Sequence, residues 1–90
     1  MTNFNEKTAF ITGGASGIGL GMAKAFLNAG ANVAIGDINE EQLLIAEKEL
    51  KTISENVISL KIDTTDTSTL RSASTKIGDS FGHLHYLCNN

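Results

Sequence analysis

The sequence of 90 residues contains no proline, no tryptophan and a single cysteine, Cys88. A lone cysteine cannot form a disulfide within the chain, and its apolar strand surroundings predict a small, buried side chain. Two histidines, His83 and His85, stand near that cysteine. Such a set does not have the ligand number of a zinc site, so no metal is expected.

Long apolar stretches and strong charge are also missing. No run approaches the ~20 apolar residues of a membrane span, and residues 1–7 lack the basic and apolar regions of a signal peptide. The net charge is −3, with 41% hydrophobic and 19% charged residues. This composition is typical of a globular protein and predicts no attraction to nucleic acid or to an anionic membrane. We therefore expect a cytoplasmic location.

Apolar periodicity and turn signals predict an alternation of strands and helices. With no proline, repeat or linker-like stretch to divide the chain, residues 1–90 are expected to lie in one domain. Asn39 and Asp66 are the expected N-caps of the second and third helices, and Gly30 is expected to end the first helix. The predicted strands are 8–12, 32–37, 57–62 and 84–89, and the helices are 17–28, a segment starting at 39, and 67–81. The predicted buried stripe of the second helix is Leu43, Leu44, Ala46, Leu50 and Ile53.

This alternation predicts an α/β fold with a parallel sheet and right-handed crossovers. The expected architecture is a partial Rossmann-like, doubly wound sheet with strand order 3-2-1-4. In that order, the carboxyl ends of the strands bring Gly13, Asp37, Asp63 and Asn89 to one edge of the sheet. The crevice between the first and fourth strands is then the topological switch point, where such sheets bind ligands.

The glycine-rich run at residues 12–19, Thr-Gly-Gly-Ala-Ser-Gly-Ile-Gly, is the most informative segment. It lies between a predicted strand and a predicted helix, and Asp37 ends the second strand 18 residues beyond Gly19. This is the layout of a dinucleotide-binding βαβ unit. Glycines permit a tight turn and close approach of a pyrophosphate, which the first helical turn attracts. Asp37 can accept hydrogen bonds from ribose hydroxyls. An ordinary strand-to-helix turn is the alternative.

These segments resemble the short-chain dehydrogenase/reductase family. Residues 12–19 match its T-G-x-x-x-G-x-G motif, Asp63-Thr64 matches the pair after the third strand, and residues 84–90 resemble the strand entering its Asn-Asn-Ala-Gly motif. The resemblance implies cofactor contacts along the whole chain. The implied pyrophosphate-binding residues are Gly13, Ser16, Gly17, Ile18 and Gly19, and the implied adenosine-binding residues are Asp37, Asp63, Thr64 and Asn89.

Two of these acids have alternative roles. Asp37 could start the turn before Asn39, and Asp63 could cap the turn after the third strand. As a cofactor ligand, Asp37 would repel the 2′-phosphate of NADP. NADP-preferring relatives usually carry arginine or lysine near residues 15 and 16 or just after the second strand, where this chain has Ala15, Ser16, Ile38 and Asn39. The expected cofactor is therefore NAD.

The resemblance implies an oxidoreductase that transfers hydride between a secondary alcohol and a ketone. The family's catalytic serine and Tyr-x-x-x-Lys pair come later, in chains of about 250 residues. Here Tyr86 is followed four residues later by Asn90, so no catalytic residue is assigned. We expect an N-terminal cofactor-binding part, truncated before the catalytic segment, of an enzyme with a small-molecule substrate that forms a homo-oligomer. The alternative is a stand-alone, non-catalytic nucleotide-binding module. One departure from the family is His85, which stands where an acid is common.

Overall fold

A computed structural model describes residues 4–90 of the chain. Within these residues the strands form one parallel sheet in the order β3-β2-β1-β4, as the alternation predicts. None of the helices described is both long and apolar enough to cross a membrane. In chain order the elements are β1 (Thr8–Thr12), α1 (Gly17–Asn28), β2 (Asn32–Asp37), α2 (Glu40–Leu50), β3 (Val57–Lys61), α3 (Thr67–Phe81) and β4 (Tyr86–Asn89).

The central strands are buried on both faces, which explains why β1 and β2 read as nearly continuous apolar runs. On one face α1 and α2 pack over the sheet, and on the other face α3 packs over β2 and β3. The first core cluster is Ile11, Ala15, Ala23, Leu27, Val33, Ile35, Leu43, Ala46, Leu50 and Val57. The second is Phe10, Ala34, Leu60, Ile62, Ala73 and Ile77.

The helix ends follow the predicted capping chemistry. The Asn39 side chain accepts a hydrogen bond of 3.0 Å from the Gln42 N–H at the start of α2. Asp66 does the same for the Ser68 N–H at the start of α3, at 2.9 Å. Gly30 has a φ of +96° just after α1, which is the left-handed conformation expected of a helix-terminating glycine.

The structure corrects the predicted elements at β3, β4 and α2. β3 ends at Lys61, one residue earlier than predicted. β4 begins at Tyr86, two residues later than predicted, because the imidazole Nδ1 of His85 accepts the Thr8 N–H at 3.0 Å where a strand carbonyl would otherwise bond. On α2, the buried stripe is Leu43, Ala46 and Leu50, whereas Leu44 is 66% exposed. Ile53 was also predicted in this stripe, but it lies beyond the end of α2 and is exposed. Adjacent residues on a helix lie about 100° apart, so Leu44 points away from the face that Leu43 buries.

Candidate functional site

A cavity of about 200 Å³ opens at the carboxyl ends of the strands. It lies where β1, β2 and β3 end, so residues far apart in the sequence meet there. Its polar groups include two carboxylates and an amide, and its apolar groups come from two isoleucines. The lining residues are Gly13, Asp37, Ile38, Ile62, Asp63, Thr64 and Asn90.

The turn after β1 packs so closely against the start of α1 that there is no room for a side chain at Gly19. Gly13 has a φ of +67°, and its N–H donates to the Gly36 carbonyl of β2 at 2.7 Å. A Cβ atom at Gly19 would lie only 2.1 Å from the Gly13 carbonyl oxygen. The first turn of α1 can therefore pack against the turn only because residue 19 has no side chain.

The first turn of α1 has neither a side-chain cap nor an acidic residue. Ser16 is the N-cap residue, yet its side chain makes no capping hydrogen bond. Its hydroxyl therefore does not occupy the first-turn N–H groups, which carry the positive end of the helix dipole. Ile18 in this turn is 76% exposed. No acidic side chain in this turn opposes the positive end of the helix dipole.

Asp37 lies at the end of β2 and lines the cavity. Its Oδ1 accepts the Asn39 N–H at 3.1 Å, so the carboxylate does start the turn into α2. The Asn39 side chain in turn caps that helix. These bonds orient the Asp37 carboxylate, and only one of its oxygens takes part in them. The turn role and the ribose-binding role are therefore compatible.

Asp63 follows β3 and also lines the cavity. Its Oδ1 accepts the Thr65 hydroxyl at 2.6 Å and the Thr65 N–H at 2.9 Å. The bond from the Thr65 hydroxyl is the main cause that holds the pKa of Asp63 below its usual value, and the bond from the Thr65 N–H is the second cause. Desolvation raises the pKa by a smaller amount. Asp63 is thus an ionised hydrogen-bond acceptor at neutral pH, and it caps its own turn through one oxygen.

The paired asparagines at the end of β4 play different parts. Thr12 Oγ1 donates to Asn89 Oδ1 at 2.9 Å, which ties the ends of β1 and β4 together. The Asn90 N–H donates back to Thr12 Oγ1 at 3.2 Å, and the Asn90 side-chain amide donates to the Gly13 carbonyl at 3.3 Å. Asn90 therefore lies against the glycine-rich turn, while Asn89 lines a neighbouring groove beside α3.

The structure brings together four of the sequence-predicted residues around the cavity: Gly13, Asp37, Asp63 and Thr64. The others lie outside it, at the start of α1 (Ser16, Gly17, Ile18 and Gly19) and in β4 (Asn89). Sequence reasoning missed the side chains of Ile62 and Asn90 as parts of the lining, and it considered Ile38 only as a position that lacks a cation. Each directly precedes or follows a predicted site residue, and that adjacency was the available signal. No cluster of potential metal ligands occurs among residues 4–90.

Comparisons with known proteins agree on one family. Residues 7–90 match the family model described as short chain dehydrogenase. The chain is 42% identical over 90 residues to the short chain dehydrogenase/reductase dpmpG of Macrophomina phaseolina, covering 99% of this chain and 51% of that protein. The chain thus spans about half of that relative, and about a third of several other curated relatives.

Two solved structures share the fold of this chain. One is a short-chain dehydrogenase/reductase from Burkholderia phymatum in complex with NAD, with a TM-score of 0.90 and 26% identity, covering 97% of this chain and 31% of that one. The other is L-sorbose reductase from Gluconobacter frateurii complexed with NADPH and L-sorbose, with a TM-score of 0.92 and 28% identity, covering 99% and 34%. The chain belongs to the short-chain dehydrogenase/reductase family.

Proposed function

We propose that this chain is the NAD-binding half of an oxidoreductase that interconverts a secondary alcohol and a ketone. Family membership supports the oxidoreductase class. The observation that carries the cofactor proposal is the cavity in which the glycine-rich turn meets Asp37 and Asp63. We further propose that the whole protein acts in the cytoplasm, as a homo-oligomer, on a small molecule.

The residues present fit a dinucleotide. In this proposal the turn at Gly13 and the first turn of α1 hold the pyrophosphate, because close backbone approach and N–H donors are available there. Asp37 accepts from the adenosine ribose, and Asp63 accepts from the adenine amino group. When bound, the nicotinamide cofactor supplies the hydride donor or acceptor of the reaction. The protein supplies binding and orientation.

The preference for NAD over NADP rests on Asp37 and its neighbour Ile38. The Asp37 carboxylate lines the cavity, and Ile38 beside it is 62% exposed. A 2′-phosphate at this position would meet a carboxylate and no cationic partner from Ile38, so it would be repelled. Related structures hold either NAD or NADPH. The fold alone therefore does not determine the preference between NAD and NADP, which depends on local residues such as Asp37 and Ile38.

Titration calorimetry with NAD and NADP tests this proposal. We expect the wild-type chain to bind NAD at least roughly tenfold more tightly, a difference of about 1.4 kcal/mol. The double variant Asp37→Ala/Ile38→Arg should reverse the preference. Asp79→Ala is the matched control, since it removes the same charge from α3 at a position that does not line the cavity. Equal wild-type affinities, or the same change in both variants, would remove Asp37 as the selector.

A further inference from the structure

Thr69 lies in the first turn of α3 and bonds the backbone of Asp63 at the start of the preceding turn. Its hydroxyl oxygen accepts the Asp63 N–H at 3.0 Å. The same hydroxyl lies 3.0 Å from the Asp63 carbonyl oxygen and 2.8 Å from that of Asp66, and its one proton is donated to one of them at a time. Thr69 is half-buried and does not line the cavity that contains Asp63. It therefore acts on that cavity only through the backbone.

Asp63 lies where the pairing of β3 with β2 ends. The N–H of the preceding residue, Ile62, donates to the Asp37 carbonyl of β2 at 3.0 Å. Successive N–H groups along a strand point to opposite sides, so the Asp63 N–H points away from β2. There the Thr69 hydroxyl takes the place of a strand carbonyl as its acceptor. The position of Asp63 thus depends on β2 on one side and on Thr69 on the other.

Two threonines hold Asp63 in different ways. Thr65 bonds the carboxylate itself, because its hydroxyl and its N–H both donate to Oδ1. Thr69 bonds only backbone groups, so it fixes where Asp63 lies relative to α3 and leaves the carboxylate oxygens to other partners. A variant of Thr69 therefore moves the residue without removing a hydrogen bond from its charged group.

We infer that Thr69 is a positioning residue for the nucleotide site, which places the Asp63 carboxylate against the adenine amino group. This inference rests on the proposed function, in which Asp63 accepts a hydrogen bond from that group. The glycine-rich turn at Gly13 and the ribose-binding Asp37 follow other strands and make no hydrogen bond with Thr69. Loss of the Thr69 hydroxyl should therefore weaken one cofactor contact and leave the others in place.

Two dinucleotides that differ in one group test this inference. Deamino-NAD has an oxygen in place of the adenine amino group, so it cannot donate that hydrogen bond to Asp63. In titration calorimetry, we expect wild type to bind NAD roughly fivefold more tightly than deamino-NAD, the effect of about one hydrogen bond. Thr69→Val should bring this ratio close to one, because Asp63 is no longer held in place. Thr69→Ala is the second variant, in case Thr69→Val fails to fold.

Two further variants separate positioning from a general loss of stability. Thr69→Ser keeps the hydroxyl and should keep the wild-type ratio of the two affinities. Thr75→Val is the matched control, because the Thr75 hydroxyl bonds the Arg71 carbonyl within α3 at 3.2 Å and makes no bond to Asp63. It should also keep the ratio. Destabilisation of the whole fold would lower both affinities alike and leave their ratio unchanged.

A Thr69→Val variant that retains the wild-type ratio would overturn the inference. A Thr69→Ser variant that loses the ratio would overturn it as well, because the hydroxyl would then not be the group responsible. Equal affinities in wild type would disprove the contact between Asp63 and the adenine amino group, and the role of Thr69 with it, although the proposed NAD binding would stand. Failure of wild type to bind either dinucleotide would instead contradict the proposed function itself.

Discussion

Gly19 and Gly21 lie two residues apart in α1, and a methyl group would meet different surroundings at each. At Gly19 it would lie 2.1 Å from the Gly13 carbonyl oxygen, whereas at Gly21 nothing lies within 4 Å. We expect Gly19→Ala to destabilise the fold by about 1–3 kcal/mol or more, since the backbone must shift. Gly21→Ala should stabilise it by about 0.5–1 kcal/mol, because alanine favours helix. Urea unfolding of both variants measures this, and equal midpoints would contradict the close packing.

Asp63 and Thr65 give a prediction about pH. The Thr65 hydroxyl is the main cause of the lowered pKa of Asp63 in the folded chain. Thr65→Val removes that donor and should raise the pKa of Asp63 toward its ordinary value. Thr67→Val is the control, because Thr67 makes no hydrogen bond to Asp63. NMR titration of the Asp63 carboxyl carbon provides the measurement.

The sign of the linked stability follows from the direction of that shift. A carboxyl whose pKa is lower in the folded state stabilises folding above its unfolded value, near 3.9. That contribution is lost as the pH falls through the lower folded pKa. The stability difference between wild type and Thr65→Val should therefore be present at neutral pH and disappear in acid. A difference that persists unchanged in acid would show that Asp63 is not responsible.

Individual residues also show which parts of the candidate site could be predicted from the sequence. The acids and Gly13 could be predicted because strand ends and glycine spacing determine where they lie. The distinction between Asn89 and Asn90 could not, because neighbouring residues at a strand end point in different directions. Gly14 and Gly36 were missed for another reason. A Cβ atom at Gly14 would come within 3.0 Å of the Ile35 side chain, and one at Gly36 would come equally close to Ile62. No sequence motif indicates such tertiary packing.

At the scale of elements, the N-caps of α1 and α2 make contrasting predictions. Asn39 bonds the Gln42 N–H, whereas Ser16 makes no side-chain cap bond. Asn39→Ala should therefore cost about 1 kcal/mol of unfolding free energy. Ser16→Ala should change the unfolding free energy by much less. Chemical denaturation of the two variants compares them directly, and a cost for Ser16→Ala as large as that for Asn39→Ala would contradict these cap assignments.

The order of elements was predictable because each has a strong local signal. β1 and β2 are continuous apolar runs between turns, and Asn39 and Asp66 are good caps. The start of β4 was not predictable, because it depends on a contact between residues 77 positions apart, in which His85 accepts the Thr8 N–H. Leu44 was misplaced because Leu43, Leu44 and Ala46 are all apolar, and only the observed packing shows which of them face the sheet.

For the molecule as a whole, we expect cofactor binding without turnover. The chain contains one tyrosine, Tyr86, and no Tyr-x-x-x-Lys pair. The Tyr86 ring packs against Phe4 and Phe26, with centroids 5.5 and 5.7 Å away, and it does not line the cavity of Asp37. Tyr86→Phe should therefore keep both the fold and NAD affinity, whereas Tyr86→Ala should lose aromatic packing and stability.

An absorbance assay for NADH with a panel of secondary alcohols tests this prediction directly. The 90-residue chain should show no NADH production above background, although calorimetry should still detect NAD binding. Turnover that disappears in Tyr86→Phe would make Tyr86 a catalytic residue and contradict its assignment to packing. Turnover that survives in Tyr86→Phe would show that other residues of this chain carry out the chemistry. Binding without turnover is the expected result, because the chain contains no Tyr-x-x-x-Lys pair.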